Sequence, residues 1–142
     1  MNRIIKWIKL CMAAFLTSCS GTGTEHVIDN YYLGTIDYVE KNLSLYYKLQ
    51  SGDYIGVVNP TVFAIGYNEN YIIVKQHPGN WSDDIINKDV TNYYIVPVKD
   101  WLHNSPDENK IGPLTYDEFL LKREELKIPN NLVFSKIFKK LE

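Results

Sequence analysis

The side chains best suited to chemistry follow an apolar run near the middle of the chain. They are Lys75, Gln76, His77, Trp81, Asp83 and Asp84. A histidine with two aspartates offers ligand types for a cation, and a tryptophan ring offers a face on which a sugar stacks. Loops that leave a strand often carry such residues. We therefore predict Lys75, His77 and Trp81 as binding residues; the alternative is a strand that leaves the core into a solvated loop.

Neither a metal site nor a cofactor site is predicted. One histidine near two aspartates lacks the second and third fixed ligands that a metal site requires. His103 lies in a later loop, after Val98. In an antiparallel meander, the loops after Gln76 and Val98 leave opposite ends of the sheet. We expect His77 and His103 to lie apart for this reason.

No catalytic residue is predicted either. The chain lacks a G-x-S-x-G motif, a P-loop, an H-E-x-x-H motif and a dinucleotide-binding glycine pattern. Glycoside hydrolysis needs two carboxylates ~5 to 9.5 Å apart across a cleft, a distance that sequence spacing does not supply. Asp117 and Glu118 are better explained by the start of a helix. A small glycan hydrolase with two carboxylates stays open as an alternative.

The first 18 residues have the pattern of an export signal. Arg3, Lys6 and Lys9 precede a short apolar run over 10–16, which is far below the ~20 residues that span a bilayer. The following Leu-Thr-Ser-Cys, ending at Cys19, resembles the bacterial lipobox, whose cysteine is acylated and becomes the first residue after cleavage. We expect a signal peptide over 1–18, a lipidated Cys19 with a flexible tether over 19–26, and one domain over 27–142. The alternative is an ordinary secretory signal with Cys19 as a spare thiol.

Charge and cysteine content narrow the classes of partner. Removal of Arg3, Lys6 and Lys9 from the 15 basic residues leaves 12 against 17 acidic ones, a net charge of about −5. Nucleic acid is therefore not expected as a partner, because phosphate binding needs a basic patch. The two cysteines are Cys11, inside the signal, and Cys19, so the expected domain has no disulfide and no thiol nucleophile.

A predicted hairpin positions the candidate binding residues. Val62–Tyr67 and Tyr71–Gln76 are rich in strand-forming residues and flank Asn68-Glu69-Asn70, where asparagine tolerates the left-handed backbone that tight turns often need. Both faces of the first strand are apolar, so we place the hairpin in the middle of a sheet with cover on its faces. Further strands are predicted at 31–38, 43–49 and 91–98. Pro97 either ends the last of these or confines it to an edge.

A helix is predicted from Thr115 to Lys127. Thr115 and Glu118 form a capping-box pattern, Leu114 and Phe119 a hydrophobic staple, and Pro129 stops the helix. The residues expected on its buried stripe are Tyr116, Phe119, Leu120 and Leu126, with Glu118 and Lys122 paired outside. Apolar residues at helical spacing over 134–141 predict a short terminal helix. The fold class is α+β: an antiparallel sheet of five or six strands, the C-terminal helix on one face, and the short terminal helix.

Four sequence blocks carry a resemblance to a known family. They are PTVFAIGYN over 60–68, IIVKQHP over 72–78, TNYYIVP over 91–97 and GPLT over 112–115. Together they resemble an uncharacterised family of small lipoproteins from Bacteroides-type bacteria. The resemblance implies a lipobox, a single domain and an outer-membrane location, and it transfers no activity and no catalytic residue.

The function predicted from these features is that of a membrane-anchored bacterial lipoprotein acting as a non-enzymatic binding or interaction module of the cell envelope. Its expected partners are the membrane, through Cys19, and an envelope protein or glycan. By the rule known for enteric bacteria, the absence of aspartate at Ser20 favours the outer membrane, with the periplasmic or surface orientation open. The alternatives are the glycan hydrolase and an inhibitor or immunity protein.

Overall fold

The computed structural model of the chain describes residues 23–35, 39–80, 85–99 and 106–142. The predicted signal peptide, Cys19, Trp81 and His103 lie outside these ranges. Within the described ranges, every helix falls short of the length and apolar character that crossing a bilayer requires.

The first four strands form one antiparallel sheet in chain order. They are β1 (Thr24–Ile28), β2 (Tyr31–Gly34), β3 (Ser44–Lys48) and β4 (Tyr54–Val58). β1 begins at Thr24, inside the range 19–26 that was predicted as a tether. The strand predicted at 43–49 is confirmed as β3, in which Leu45 and Tyr47 are buried while Tyr46 and Lys48 are only half-buried.

The remaining strands build a second antiparallel sheet and a small separate hairpin. In chain order they are β5 (Val62–Tyr67), β6 (Tyr71–Gln76), β7 (Gly79–Asn80), β8 (Ile85–Ile86), β9 (Asn92–Pro97), β10 (Ile111–Leu114) and, after the helix α1 (Tyr116–Glu125), β11 (Lys136–Ile137). The order in the sheet is β10-β9-β6-β5-β11, and β7 pairs with β8. The central position of the β5–β6 hairpin is confirmed.

Two layers of apolar side chains cover the second sheet. Tyr31, Leu33 and Leu45 of the first sheet pack against Ile65, Val74 and Val96 of the second. On the opposite face, Ile73 and Ile95 pack against Phe119 of α1 and against Ile128 and Leu132 of the segment after it. The second sheet is therefore the middle layer of the described structure, which explains why both faces of β5 and β6 are apolar.

The broad α+β class is confirmed, but the prediction of one sheet of five or six strands is corrected. The strands divide between a four-stranded and a five-stranded sheet. The chain passes from one to the other at Asn59 and Pro60, between β4 and β5. A proline lacks the backbone N–H that a continuous ladder needs, so the pairing ends there and resumes in the second sheet.

The predicted short terminal helix over 134–141 is wrong. Lys136 and Ile137 pair with Ile65 and Ala64 as an edge strand, and the N–H of Phe138 donates to the carbonyl of Phe63 at 2.8 Å. This pairing satisfies the open edge of β5, which a helix would have left unpaired.

The helix start is confirmed, but the predicted stripe and outer ion pair are corrected. The Thr115 N–H donates to Glu118 Oε2 at 2.8 Å and Thr115 Oγ1 accepts from the Glu118 N–H at 3.3 Å. Phe119 is buried, whereas Tyr116 and Leu120 are exposed. Among the described strands, the helix closely contacts only β9 and β10, at the edge of the sheet. Fewer of its residues are therefore buried than the predicted stripe contains. Lys122 pairs with Glu125 and not with Glu118.

Candidate functional site

Lys75 lies against aromatic rings on the helix side of the second sheet. Its ammonium is 4.8 Å from the ring centroid of Phe134 and 5.7 Å from that of Tyr93, so both contacts are cation–π interactions. Burial, and then the neighbouring Tyr116, raise the pKa of the Tyr93 hydroxyl. Lys75 is half-buried and helps to close this aromatic cluster.

His77 is part of the core edge rather than of a solvated loop. Only 4% of it is exposed, and its ring stacks on Phe63 with centroids 4.1 Å apart. Nδ1 lies 2.8 Å from the carbonyl oxygen of Val90, which can only accept, so Nδ1 carries the proton. Nε2 is buried, and no described residue forms a hydrogen bond with it. The neighbouring Gln76 is also buried and bonds to Pro60 and Asn92.

The predicted binding residues therefore have different surroundings. Lys75 touches Phe134 and Tyr93, while His77 touches Phe63 and Val90. Trp81 lies outside the described residues, so a joint role for the three stays a prediction. As expected, β6 and β9 finish at opposite ends of the sheet, because Gln76 pairs with Asn92 and Tyr71 with Pro97. His103 lies outside the described residues, so its separation from His77 stays a prediction.

Among the clefts lined by described residues, two are of similar size, and neither of these is lined by a pair of carboxylates. One, of about 380 Å³, is lined by Thr35, Leu43, Phe138, Lys139, Lys140 and Leu141. The other, of about 370 Å³, is lined by Leu120, Arg123, Glu124, Lys127, Ile128 and Asn130. Across the described ranges there is also no group of three histidine, cysteine or acidic residues that would hold a metal ion.

The outer surface of the first sheet carries a row of aromatic rings. We call His26, Tyr32, Tyr46 and Tyr54 the tyrosine face; one comes from each of the strands β1 to β4. His26 is paired in register with Tyr32, and Tyr32 with Tyr46. Because alternate residues of a strand point to opposite faces, these side chains project away from the buried Leu33, Leu45 and Val57.

The rings of the tyrosine face contact one another edge to face. Centroid distances are 5.1 Å between His26 and Tyr32, 5.6 Å between Tyr32 and Tyr54, and 6.4 Å between Tyr46 and Tyr54. Edge-to-face contacts are the favoured geometry for aromatic pairs and hold the rings in place. The Lys48 ammonium is 6.0 Å from the Tyr54 centroid. The result is an aromatic surface with a cation at one end.

An open stretch of backbone at Gly56 lies beside two of these rings. Gly56 is paired in register with Tyr46 and follows Tyr54 by two positions. A Cβ added at Gly56 would meet only Tyr46 Cε1, at 4.0 Å, so the space above this glycine is open. Tyr54 itself is 42% exposed. A flat ligand can therefore rest on the backbone at Gly56 and contact both rings.

The tyrosine face is not among the binding residues predicted from the sequence, which are Lys75, His77 and Trp81. The available signal was local. In the alternating strand around Tyr46, a tyrosine occupies the position where a solvent-facing polar residue is expected. Two further rings had to be aligned with it by strand pairing, and the sequence does not report the pairing of β2 with β3 or of β3 with β4.

Comparison with known proteins gives a family but no activity. A family model described as a protein of unknown function, DUF3997, matches residues 28–138, which is well over half of the chain. No curated protein and no solved structure shows significant similarity to this chain. The matched range includes Tyr32, Tyr46 and Tyr54, and it also includes Lys75 and His77. The chain belongs to DUF3997, a family of proteins of unknown function.

Proposed function

We propose that this chain is a lipid-anchored protein of the bacterial cell envelope that binds glycan through the tyrosine face and catalyses no reaction. The observation that carries the proposal is the row of aromatic rings across β1 to β4 on a surface that is open beside Gly56. The expected anchor is Cys19, in its lipobox sequence.

Aromatic rings on a flat sheet suit a sugar chain for two reasons. The C–H face of a sugar ring is apolar and stacks on an aromatic ring, while tyrosine hydroxyls remain available for hydrogen bonds to sugar hydroxyls. Lys48, beside Tyr54, can donate to a hydroxyl or carboxylate of the same chain. A row that crosses four strands offers contacts to more than one sugar unit.

Binding is favoured over hydrolysis by what surrounds the carboxylates. Neither described cleft is lined by two of them. Glu118 is engaged at the helix start, where the Thr115 backbone N–H and hydroxyl donate to it and lower its pKa. A glycosidase needs the opposite situation, in which one of two facing carboxylates has a raised pKa.

The proposed location is the outer membrane, as expected from Cys19 and from the absence of aspartate at Ser20. Gly23, the first described residue, lies at the end of the first sheet where Thr24 pairs with Gly34. Tyr54 pairs with Lys48 at the other end of that sheet. A chain anchored at Cys19 would therefore carry Tyr54 on the side away from the anchor, where it can reach envelope glycan.

Cosedimentation with insoluble glycan tests binding and hydrolysis together. The chain from residue 19 onward, with Cys19→Ser, is mixed with purified peptidoglycan sacculi and with purified cell-surface polysaccharide. We expect saturable binding to one of them and no release of soluble sugar. Release of sugar fragments that stops when a carboxylate is replaced would overturn the proposal in favour of a hydrolase. Failure to bind any glycan would overturn it as well.

A further inference from the structure

The 380 Å³ cleft lies near the first described residues of the chain. Its walls include the apolar side chains of Leu43, Phe138 and Leu141, and its size falls in the ~300 to 1,000 Å³ range of small-molecule sites. Leu43 and Phe138 also pack against the buried cluster of Phe63, Ala64 and Leu141. The cleft is thus a continuation of the core that opens at the surface.

The position of the first described residues ties this cleft to the expected anchor. The Thr35 N–H donates to the carbonyl oxygen of Gly23 at 3.2 Å, and Thr35 lines the cleft. Cys19 precedes Gly23 by four residues. Even a fully extended chain of four residues spans at most ~14 Å. A membrane that holds Cys19 is therefore within reach of the mouth of the cleft.

Two lysines belong to the lining of the cleft, and a third lies near them. Lys139 and Lys140 line the cleft, and Lys88 donates to the carbonyl oxygens of Lys140 and Glu142 at 3.3 and 2.9 Å. Lys139 is 3.7 Å from the Glu142 carboxylate, but its side chain is 83% exposed, so solvent screens that pair. An apolar interior with lysines at the rim is complementary to an acyl chain that carries an anionic head.

We propose that this cleft takes one acyl chain of an anionic phospholipid from the membrane that holds Cys19, with the lipid phosphate beside Lys139 and Lys140. Charge-assisted hydrogen bonds from ammonium to phosphate are strong, and a phosphate is what distinguishes this ligand from the acyl groups on Cys19 itself. The proposal depends on the proposed function only for the source of the lipid, because the cleft and its lysines are present without the anchor.

Vesicle flotation tests the proposal on protein that carries no acyl group of its own. The chain from residue 19 onward, with Cys19→Ser, contains every described element and is mixed with vesicles of phosphatidylcholine alone or with phosphatidylglycerol added. We expect it to float with the phosphatidylglycerol vesicles. Lys139→Glu with Lys140→Glu should weaken this binding at least tenfold, and Thr35→Trp, which fills the mouth, should also weaken it.

The matched control is Lys110→Glu with Lys127→Glu, the same charge change near β10 and α1; β10 is the edge strand opposite β11, which Lys139 and Lys140 follow in the chain. It should bind like the parent. The cleft assignment is overturned if the parent does not float, if the cleft variants bind as well as the parent, or if both vesicle types bind equally. Acylation is judged separately, by whether the full chain leaves the membrane fraction of cells when Cys19 becomes serine, so either idea can fail without the other.

Discussion

The hydroxyl of Tyr31 donates a hydrogen bond of 3.1 Å to the carbonyl oxygen of Pro97 and so joins the two sheets at one end. Tyr31 is fully buried in β2, and Pro97 is the last residue of β9. The bond is part-buried because Pro97 is half-buried, and the loss of a hydrogen bond of this kind costs about 0.5 to 1.5 kcal/mol. We expect Tyr31→Phe to lower the free energy of unfolding in urea by about that amount. Tyr67→Phe, at an exposed tyrosine, should change it by less than ~0.5 kcal/mol.

Phe119 is the helix residue that anchors α1 to the second sheet. It is buried and contacts Tyr93 at 5.0 Å between ring centroids. Phe119→Ala should lower the free energy of unfolding by ~3 to 5 kcal/mol because it leaves a cavity in this cluster. Leu120, the next residue, is 42% exposed, so Leu120→Ala should cost less than ~1 kcal/mol. Equal losses for the two variants would contradict the observed orientation of the helix.

The Glu118 carboxylate makes the start of α1 sensitive to acid. Donation from the Thr115 backbone and hydroxyl lowers its pKa below the ordinary value of 4.5. Because the folded pKa is below the unfolded one, this stabilisation is present above the unfolded pKa and is lost as the pH falls through the folded pKa. Urea titrations across that acid range should show a smaller loss of stability in Glu118→Gln than in the parent. A steeper loss of stability in the variant would contradict a lowered pKa at Glu118.

The effect of His77→Ala on stability tests whether His77 is a core residue or a ligand on a free loop. Its ring is stacked on Phe63, and its Nδ1 donates to the carbonyl oxygen of Val90. Truncation to alanine removes both interactions. His77→Ala should therefore lower the free energy of unfolding by more than ~1 kcal/mol. His26, which is exposed on the tyrosine face and contacts Tyr32 and the Asp29 carbonyl oxygen there, is the control, and His26→Ala should lower stability by less than ~1 kcal/mol. An effect below that level at His77 would mean that the loop is not closed on the core.

Local patterns predicted the parts of this fold that local physics determines. The capping box at Thr115 follows from hydroxyl and carboxylate chemistry three residues apart. The β5–β6 hairpin was also readable, although its turn works differently from the prediction. Asn68 does not use a left-handed backbone; its side-chain oxygen accepts from the N–H groups of Asn70 and Tyr71, both at 2.9 Å.

The features that the sequence did not reveal depend on long-range pairing. Residues 134–141 have helical spacing, and only the open edge of β5 makes Lys136 and Ile137 a strand. The division into two sheets depends on which strands Val58 and Val62 join, since both are equally apolar. Likewise, the tyrosine face exists because register aligns Tyr32 with Tyr46, a relation that no local pattern contains.

The most direct test of the central claim is glycan binding by variants of the tyrosine face. Tyr46→Ala with Tyr54→Ala removes the two rings beside Gly56, while Tyr67→Ala removes a comparably exposed ring from the second sheet. In the cosedimentation assay, after unfolding curves have shown that all proteins are folded, we expect the double variant to lose affinity at least ~10-fold, which corresponds to about 1.4 kcal/mol. We expect Tyr67→Ala to bind like the parent. Undiminished glycan binding by the folded double variant would contradict the proposed site.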